Sequence, residues 1–149
     1  MKTYVLMVSE YFQEIHPKVG LPTFFADQIM SGDKIHTIRE NYDWWKKRID
    51  EVNECKAFLS IRYWTKSPYN SKRDNSKQYE YKKLYAGECG IQKAEFYGVN
   101  DVKIDGKYYQ GHLEQIAQND GLSYEDFIEW FRHTPAQPMA IIHFTNFKY

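Results

Sequence analysis

The stretch FFADQIMSGDKIHTIREN, from Phe24 to Asn41, contains the signals for a helix, a turn and a strand in direct succession. Phe25 and Ile29 recur at helical spacing, and Gly32 is the kind of residue that ends a helix. The following KIHTIRE alternates along its length, which predicts an extended segment. We therefore expect a short helix that is followed, after one turn, by a strand.

The same stretch places an amine, a hydroxyl and a guanidinium close together in sequence, at Lys34, Thr37 and Arg39. Lys34 and Thr37 would face opposite sides of a regular strand. They converge only if Lys34 lies in the turn or a bulge intervenes. A lysine with a lowered pKa can deprotonate a hydroxyl that attacks a carbonyl, and an arginine can grip a phosphate. The alternative is a solvent lysine beside a strand threonine.

Working outward, the rest of the chain predicts strands and helices of an α+β domain. Ser123, with Asp126 three residues later, marks a helix start, and Asp105-Gly106 marks a hairpin turn. The predicted strands are 2–8, 56–64, GIQKAEFYGV, the VKIDGKYY hairpin and MAIIHFTNF, and the further helices are NYDWWKKRIDEVNE, LEQIAQNDG and SYEDFIEWFRH. Strands at both ends with helices between them predict a small curved β-sheet or barrel, formed as one domain over 1–149.

Length and composition indicate a folded domain in a reducing compartment. The chain has 149 residues, 42% hydrophobic and 27% charged, and no apolar run long enough for a membrane span. Its start is typical of a strand rather than of a signal peptide. Cys55 and Cys89 have no metal or redox spacing, so we expect a cytoplasmic protein with free thiols. The five histidines also lack metal-helix spacing, and no cofactor or metal is expected.

The net charge of zero hides a basic segment. Residues 34–83 hold thirteen Lys and Arg against seven Asp and Glu, a balance of +6. A polar stretch at about 66–83 is predicted as a basic, Tyr-rich loop, and lysines interleaved with rings are typical of single-stranded RNA binding. The alternative is a solvated loop. The candidate RNA contacts of this segment are Arg62, Lys66, Tyr69, Lys72, Arg73 and Lys77.

The opening stretch resembles the ASCH domain, a branch of the PUA-like superfamily, whose hallmark is an apolar helix, Gly-x-Lys and then Thr-(Ile/Val)-Arg. The matching positions are Phe25, Ile29, Gly32, Lys34, Thr37, Ile38 and Arg39. IAQNDGLSYEDFIEWF and AIIHFTNF are similar to the helix and strand that end such domains. The resemblance implies a PUA-like β-barrel, a cleft beside the motif helix, and RNA binding.

The resemblance also implies a possible activity. Small 4-acetylcytidine amidohydrolases of this family use a Lys, a Thr and a Glu, which here match Lys34 as base, Thr37 as nucleophile and Asp120 in place of the glutamate. Aspartate keeps the charge but shortens the reach by one methylene. Two functions thus stand as hypotheses: binding of RNA or a nucleotide, with Arg39 as anion grip, and removal of an acyl group from a modified cytidine.

A third hypothesis is a protein-interaction module that exposes Trp44, Trp45, Trp64 and Tyr69. Large aromatics at helical and strand spacing more often lie in the core, which favours the first two hypotheses. The expected partners are therefore RNA, a nucleotide or a modified nucleoside. We expect no membrane association, and a monomer or weak dimer.

Overall fold

A computed structural model describes residues 1–65, 76–98, 101–132, 134 and 137–149. In these ranges the protein is α+β, with two β-sheets and four helices, as the sequence predicts. The elements are β1 (Lys2–Met7), α1 (Phe25–Ser31), β2 (His36–Arg39), α2 (Tyr42–Asn53), β3 (Ala57–Trp64), β4 (Gln78–Leu84), β5 (Gly90–Gly98), β6 (Asp101–Ile104), β7 (Lys107–Tyr108), α3 (Leu113–Asn119), α4 (Tyr124–Phe131) and β8 (Met139–His143).

The first sheet has the strand order β1-β3-β4, with β1 parallel and β4 antiparallel to β3. Parallel neighbours need a long crossover, and here the chain from β1 to β3 includes α1, β2 and α2. The β3–β4 register shifts between Ile61 and Arg62, whose partners are Lys82 and Glu80. Tyr81 is therefore the extra residue of a bulge, which locally re-aims its side chain.

The second sheet has the order β2-β8-β5-β6-β7 and is antiparallel in all its described pairs. β8 is buried along its whole length because it lies between β2 and β5. Its pairing sets His36 opposite His143 and Arg39 opposite Ala140. The predicted hairpin is confirmed: Asp105 and Gly106 have φ of 52° and 79°, the left-handed pair that a tight two-residue turn requires.

Helix α2 contacts β3 of the first sheet and β5 and β8 of the second. Its apolar residues recur at helical spacing and bury Trp45, Ile49 and Val52. Ile49 and Val52 are fully enclosed, and each such side chain contributes about 2 kcal/mol by leaving water. The helix thus holds the two sheets against one core.

The prediction of a loop over 66–83 is wrong for its second half, since Gln78–Leu84 form strand β4. The seven residues QYEYKKL contain a single aliphatic, so the usual apolar alternation of a strand is absent. Tyrosines at alternate positions were the remaining strand signal. Residues 66–75, the first half of that prediction, lie outside the described residues.

Helix α1 has no side-chain hydrogen bond from the residue that caps its start. Phe24 is the residue before the helix and has φ of 60°, while the Thr23 hydroxyl accepts a hydrogen bond from the Phe25 N–H at 3.2 Å. The predicted stop at Gly32 is confirmed, with φ of 87°. In the described ranges no strand pairing joins the two sheets, so the closed barrel stays a prediction. None of the described helices has the length and hydropathy to cross a bilayer.

Candidate functional site

Lys34 lies in the turn between α1 and β2. The backbone N–H groups of Asp33 and Lys34 both donate to the Gln28 carbonyl, at 2.9 and 3.1 Å, so the left-handed Gly32 turn folds the chain back on its helix. This turn directs the Lys34 side chain into the protein, where only 2% of the residue is exposed. Strand β2 begins only at His36, so Lys34 precedes it, although the sequence pattern predicts an extended segment from Lys34 onward.

Asp120 receives the buried ammonium. Lys34 Nζ donates to the Asp120 carbonyl at 2.6 Å and to its carboxylate Oδ1 at 3.2 Å. The ring of Phe25 lies 4.2 Å from the same nitrogen, a cation–π contact in a dry environment. Gly121, with φ of +80°, leaves little room for a side chain, because a Cβ there would lie 3.1 Å from Lys34 Cδ. Asp120, Phe25 and Gly121 therefore enclose the Lys34 side chain.

His36 extends the pair into a network. Its Nδ1 lies 3.3 Å from Asp120 Oδ1 and its Nε2 lies 2.6 Å from the Tyr149 hydroxyl. Asn119 Nδ2 also donates to that hydroxyl at 3.0 Å. We call Lys34, His36, Asp120 and Tyr149 the Lys34 network. Both ring nitrogens of His36 have partners, as buried polar groups in native proteins generally do.

Burial dominates the protonation of this network. It lowers the pKa of Lys34 from 10.5 to about 8, although the Asp120 carboxylate opposes the change. Burial likewise lowers the pKa of His36. For Tyr149, burial disfavours the ionised phenol and therefore raises its pKa. The amine is therefore mainly charged at neutral pH, with an appreciable neutral fraction close to pH 8. This is a property that a general base needs.

Thr37 and Arg39 point to the opposite face of β2. Arg39 Nη1 donates to the Thr37 hydroxyl at 2.8 Å and to the Ile38 carbonyl at 3.1 Å, and Nη2 donates to the Met7 carbonyl at 2.5 Å. Among the described residues, Thr37 thus bonds Arg39, whereas both acceptors of the Lys34 ammonium are on Asp120. The structure therefore brings Lys34 and Asp120 together but does not hydrogen-bond Thr37 to Lys34.

Three rings of β3 and β4 share one face of the first sheet, which we call the tyrosine face: Tyr63, Tyr79 and Tyr81. Tyr63 stacks on Tyr79 with centroids 5.9 Å apart and lies 5.7 Å from Tyr81. The Tyr81 hydroxyl is buried and has no hydrogen-bond partner in the described part of the chain. Burial and the charge of Glu10 raise its pKa, while nearby Arg39 lowers it. The Tyr81 end of the tyrosine face therefore lies within electrostatic range of the Arg39 guanidinium.

Arg62 does not lie on this face. Its Nε donates to the Ser60 hydroxyl at 2.8 Å, and its guanidinium lies 4.0 Å from the Glu80 carboxylate. Arg62 is next to Tyr63 in the strand, so the alternation of side chains places it on the other side of the sheet. Lys77 is exposed just before β4. The other predicted RNA contacts, Lys66, Tyr69, Lys72 and Arg73, lie outside the described residues.

The tryptophans predicted as a protein-binding surface separate into core and surface. Trp45 is 8% exposed and packs in the core, whereas Trp44 is 49% exposed. The guanidinium of Arg48 covers the Trp44 ring at 3.2 Å from its centroid. Trp64 is half-buried, and Tyr69 lies outside the described residues.

Sequence reasoning missed His36, Tyr149, Tyr81 and Glu10. His36 lies inside the motif, but the period of a strand alone does not show that its face is buried. Tyr149 is far from the motif in sequence, and no local pattern links the two. Tyr81 was assigned to a loop, although its spacing from Tyr79 fits one face of a strand. Alternating tyrosines were therefore the available signal for the tyrosine face.

Two open depressions lie elsewhere on the surface. One of about 540 Å³ is lined by Tyr42, Trp44 and Lys93, among others, and one of about 390 Å³ by Lys82 and Phe144, among others. Neither is lined by Lys34, Thr37 or Arg39, and of the opening stretch only Asn41 lines the first. Within the described ranges, no three His, Cys, Asp or Glu side chains form a group that could hold a metal ion.

No protein-family model, curated protein or solved structure matches this chain.

Proposed function

We propose that the protein binds single-stranded RNA or a nucleotide between β2 and the tyrosine face. The observation that carries this proposal is the junction of Arg39 and Tyr81. There, the Arg39 guanidinium has no carboxylate partner among the described residues and lies within electrostatic range of Tyr81, whose buried hydroxyl has no hydrogen-bond partner among them. Buried polar groups normally have partners, so both groups are available to a ligand.

Arg39 is suited to a phosphate. A guanidinium has five N–H donors, and three of those of Arg39 have partners in the described residues. Two donors remain, enough for the two-point grip that arginine makes on phosphate oxygens. The three existing bonds hold the side chain in place, which reduces the entropy lost on binding. Arg39 is half-buried, so salt screens its attraction to a bound phosphate less than it would at a fully exposed position.

The tyrosine face is suited to nucleobases. Tyr79 is 48% exposed, and Tyr63 and Tyr81 are half-buried, so ring surface remains accessible. A base that stacks on an aromatic side chain gains about 1–3 kcal/mol with little dependence on sequence. A ring row that ends at an arginine supplies both recognition elements of a nucleotide, the base platform and the phosphate grip.

We further propose that the chain is an ASCH-type domain of the PUA-like superfamily and works in the cytoplasm. The opening motif supports the family, and the α+β architecture is compatible with the curved barrel that the family implies. The free thiols Cys55 and Cys89 support a reducing compartment. Basic residues of 66–83, including Lys72, Arg73 and Lys77, would add sequence-independent phosphate contacts and a salt dependence.

Fluorescence anisotropy with a labelled single-stranded RNA of about 12 nucleotides tests the proposal. We expect Arg39→Ala to weaken binding about tenfold, since a charge-assisted hydrogen bond contributes about 1.5–3 kcal/mol. The slope of log affinity against log salt should also fall by about 0.7, as expected for one lost phosphate contact on a single strand.

Arg62→Ala is the matched control, because it removes the same charge from the opposite face of the sheet. Its affinity should stay within about twofold of the unmodified protein, as its guanidinium contacts Ser60 and Glu80. Equal losses for Arg39→Ala and Arg62→Ala would show that binding follows total charge and not this site. Absence of binding by the unmodified protein would reject the proposal.

A second candidate function is the hydrolysis of an acyl amide on a modified cytidine. The observation in its favour is the pKa of Lys34, which burial lowers to about 8. In this reaction neutral Lys34 would take the Thr37 hydroxyl proton while the oxygen attacks the acyl carbon. The C–N bond then breaks, the amine leaves with the proton from Lys34, and water hydrolyses the acyl-threonine ester.

This reaction requires a rearrangement of the observed contacts. The Lys34 amine would leave an Asp120 oxygen, and the Thr37 hydroxyl would exchange Arg39 for the lysine. Incubation with 4-acetylcytidine, followed by chromatography for cytidine, tests it. We expect Thr37→Val to abolish product and Thr37→Ser to retain it, because valine has the shape of threonine without the nucleophile. No product above a heat-killed control would exclude this substrate.

A further inference from the structure

We propose that Glu10 is the specificity-determining residue of this site and selects nucleobases that carry an exocyclic amino group. This inference rests on the proposed binding of nucleotides. It adds a third recognition element to the tyrosine face and Arg39: a carboxylate that accepts a hydrogen bond from the edge of the base.

The backbone around Glu10 places it at the proposed site. Arg39 Nη2 donates to the Met7 carbonyl at 2.5 Å, and the Val8 N–H donates to the Arg62 carbonyl of β3 at 2.9 Å. Two residues further, the Glu10 carbonyl accepts from the Thr23 N–H at 2.9 Å. The segment from Met7 to Glu10 is thus fixed to β2, to β3 and to the start of α1, which limits the movement of the carboxylate.

The carboxylate of Glu10 is available to a ligand. It is half-buried, and no hydrogen bond or ion pair of its side chain is present among the described residues. Burial, and then the charge of Asp27, raise the pKa of Glu10. Its charge in turn raises the pKa of Tyr81, which places the two groups within electrostatic reach of each other. An acid that has lost water without gaining a cation is poised to accept from another donor.

Two other carboxylates near the site are already engaged. Asp120 accepts from Lys34 in the closed interior, and Glu80 lies on the opposite face of the sheet, bonded to the Ser60 hydroxyl. Asp27 is exposed on α1. Glu10 therefore combines two features that base recognition needs. Its segment is anchored to β2 and β3 within electrostatic range of Tyr81, and its acceptor oxygens have no partner among the described residues.

An ionised carboxylate only accepts hydrogen bonds, so it distinguishes an amino group from a keto group. Acidic side chains accept in this way from N4 of cytosine. Uracil presents an acceptor oxygen at the same position, which the carboxylate repels. Guanine and adenine also carry amino groups, and hypoxanthine has none. The shared chemistry of the expected ligands is therefore an amino-bearing base edge.

Calorimetric titration with nucleoside monophosphates tests the selection in pairs that differ at one group. CMP and UMP differ at position 4 and AMP and IMP at position 6, in each case by an amino group in place of a keto oxygen. We expect the amino member of at least one pair to bind about tenfold more tightly, within the range that one good polar base contact provides. The pair with the largest ratio identifies the base.

Glu10→Gln is the decisive variant, because an amide donates as readily as it accepts. We expect the ratio for the selected pair to fall to within about twofold, since the keto partner gains a donor. Glu14→Gln makes the same change at an exposed position of the same segment and should leave the ratio unchanged.

The outcomes separate this inference from the function on which it rests. Nucleotide binding that depends on Arg39 but shows no amino preference, or a preference that survives Glu10→Gln, overturns the role of Glu10 alone. Failure of every monophosphate and of the RNA to bind overturns both.

Discussion

The two faces of strand β2 differ in whether their polar groups have partners. On one face, His36 belongs to the Lys34 network, in which the amine, both imidazole nitrogens and the Tyr149 hydroxyl all have partners. On the other face, two Arg39 donors have no partner among the described residues, and neither does the buried Tyr81 hydroxyl within electrostatic range of Arg39. The comparison teaches that one short motif can supply a structural network and an open site from alternate residues.

Changes to the two faces should therefore be measured differently. When a closed network loses one member, the remaining buried polar groups are left without partners, which lowers the stability of the fold. An open site that loses a member loses ligand affinity instead. The following predictions test this distinction in order of expected size.

Asp120→Ala should have the largest effect, a loss of about 3–5 kcal/mol in the free energy of unfolding, because it leaves the Lys34 ammonium buried without its carboxylate. Urea denaturation followed by tryptophan fluorescence measures this value. A loss below about 1 kcal/mol would mean that water or another group replaces the carboxylate.

A double-mutant cycle sharpens the first prediction. Asp120→Leu combined with Lys34→Met removes both charges, so the pair of changes should cost less than the sum of the single ones. Additive costs would contradict a direct coupling between Lys34 and Asp120.

The second prediction concerns pH. The pKa of Lys34 is about 8 in the folded protein and 10.5 when it is unperturbed, so the unfolded chain binds more protons between these values. Stability contributed by Lys34 therefore rises with pH across that window, by up to about 3 kcal/mol.

Lys34→Met should remove this rise, so the stability difference between the variant and the unmodified protein is the quantity to follow. Denaturation at pH 7.5 to 9.5 keeps clear of the pH where tyrosines ionise. The raised pKa of Cys89 affects both proteins equally and cancels in the difference. A difference that is independent of pH would show that the ammonium is not held in a dry site.

The fold could be largely predicted because its elements carry local signals. The Asp105-Gly106 turn and the Ser123 cap each depend on neighbouring residues, and each is confirmed. Strand β4 was missed because its stability comes from pairing with β3, and its own pattern is polar. A local pattern cannot show a strand that its partner stabilises.

The candidate site could be predicted only in part, for the same reason. The pairing of Lys34 with Asp120 followed from a family resemblance that spans both residues, and the contact is present. The bond between Thr37 and Arg39 follows from their shared face on a strand. Tyr81, Glu10 and Tyr149 reach the site through tertiary packing, for which the sequence contains no spacing rule.

The third prediction concerns Gly121. Alanine there would have φ near +80° and a Cβ 3.0 Å from Gln28 Oε1 and 3.1 Å from Lys34 Cδ. We expect a loss of about 2–3 kcal/mol in unfolding free energy, because the backbone strain adds to the contact. Gly20→Ala has a similar φ of +82° with nothing within 4 Å, so it should show the backbone strain alone. Equal losses at the two glycines would show that the Lys34 side chain can move aside.

The smallest expected effects on stability come from removing the hydroxyl groups of two tyrosines, one with hydrogen-bond partners and one without a partner among the described residues. Tyr149→Phe removes the group that bonds His36 and Asn119, so it should cost about 1–2 kcal/mol in thermal or urea unfolding. Tyr81→Phe removes a buried hydroxyl without a partner among the described residues, so stability should stay within about 0.5 kcal/mol or rise. The effects on RNA affinity should follow the opposite order: Tyr81→Phe should weaken binding, and Tyr149→Phe should leave it unchanged. Equal stability losses would place Tyr81 in a closed network of its own, and the open face of β2 would then be reduced to Arg39.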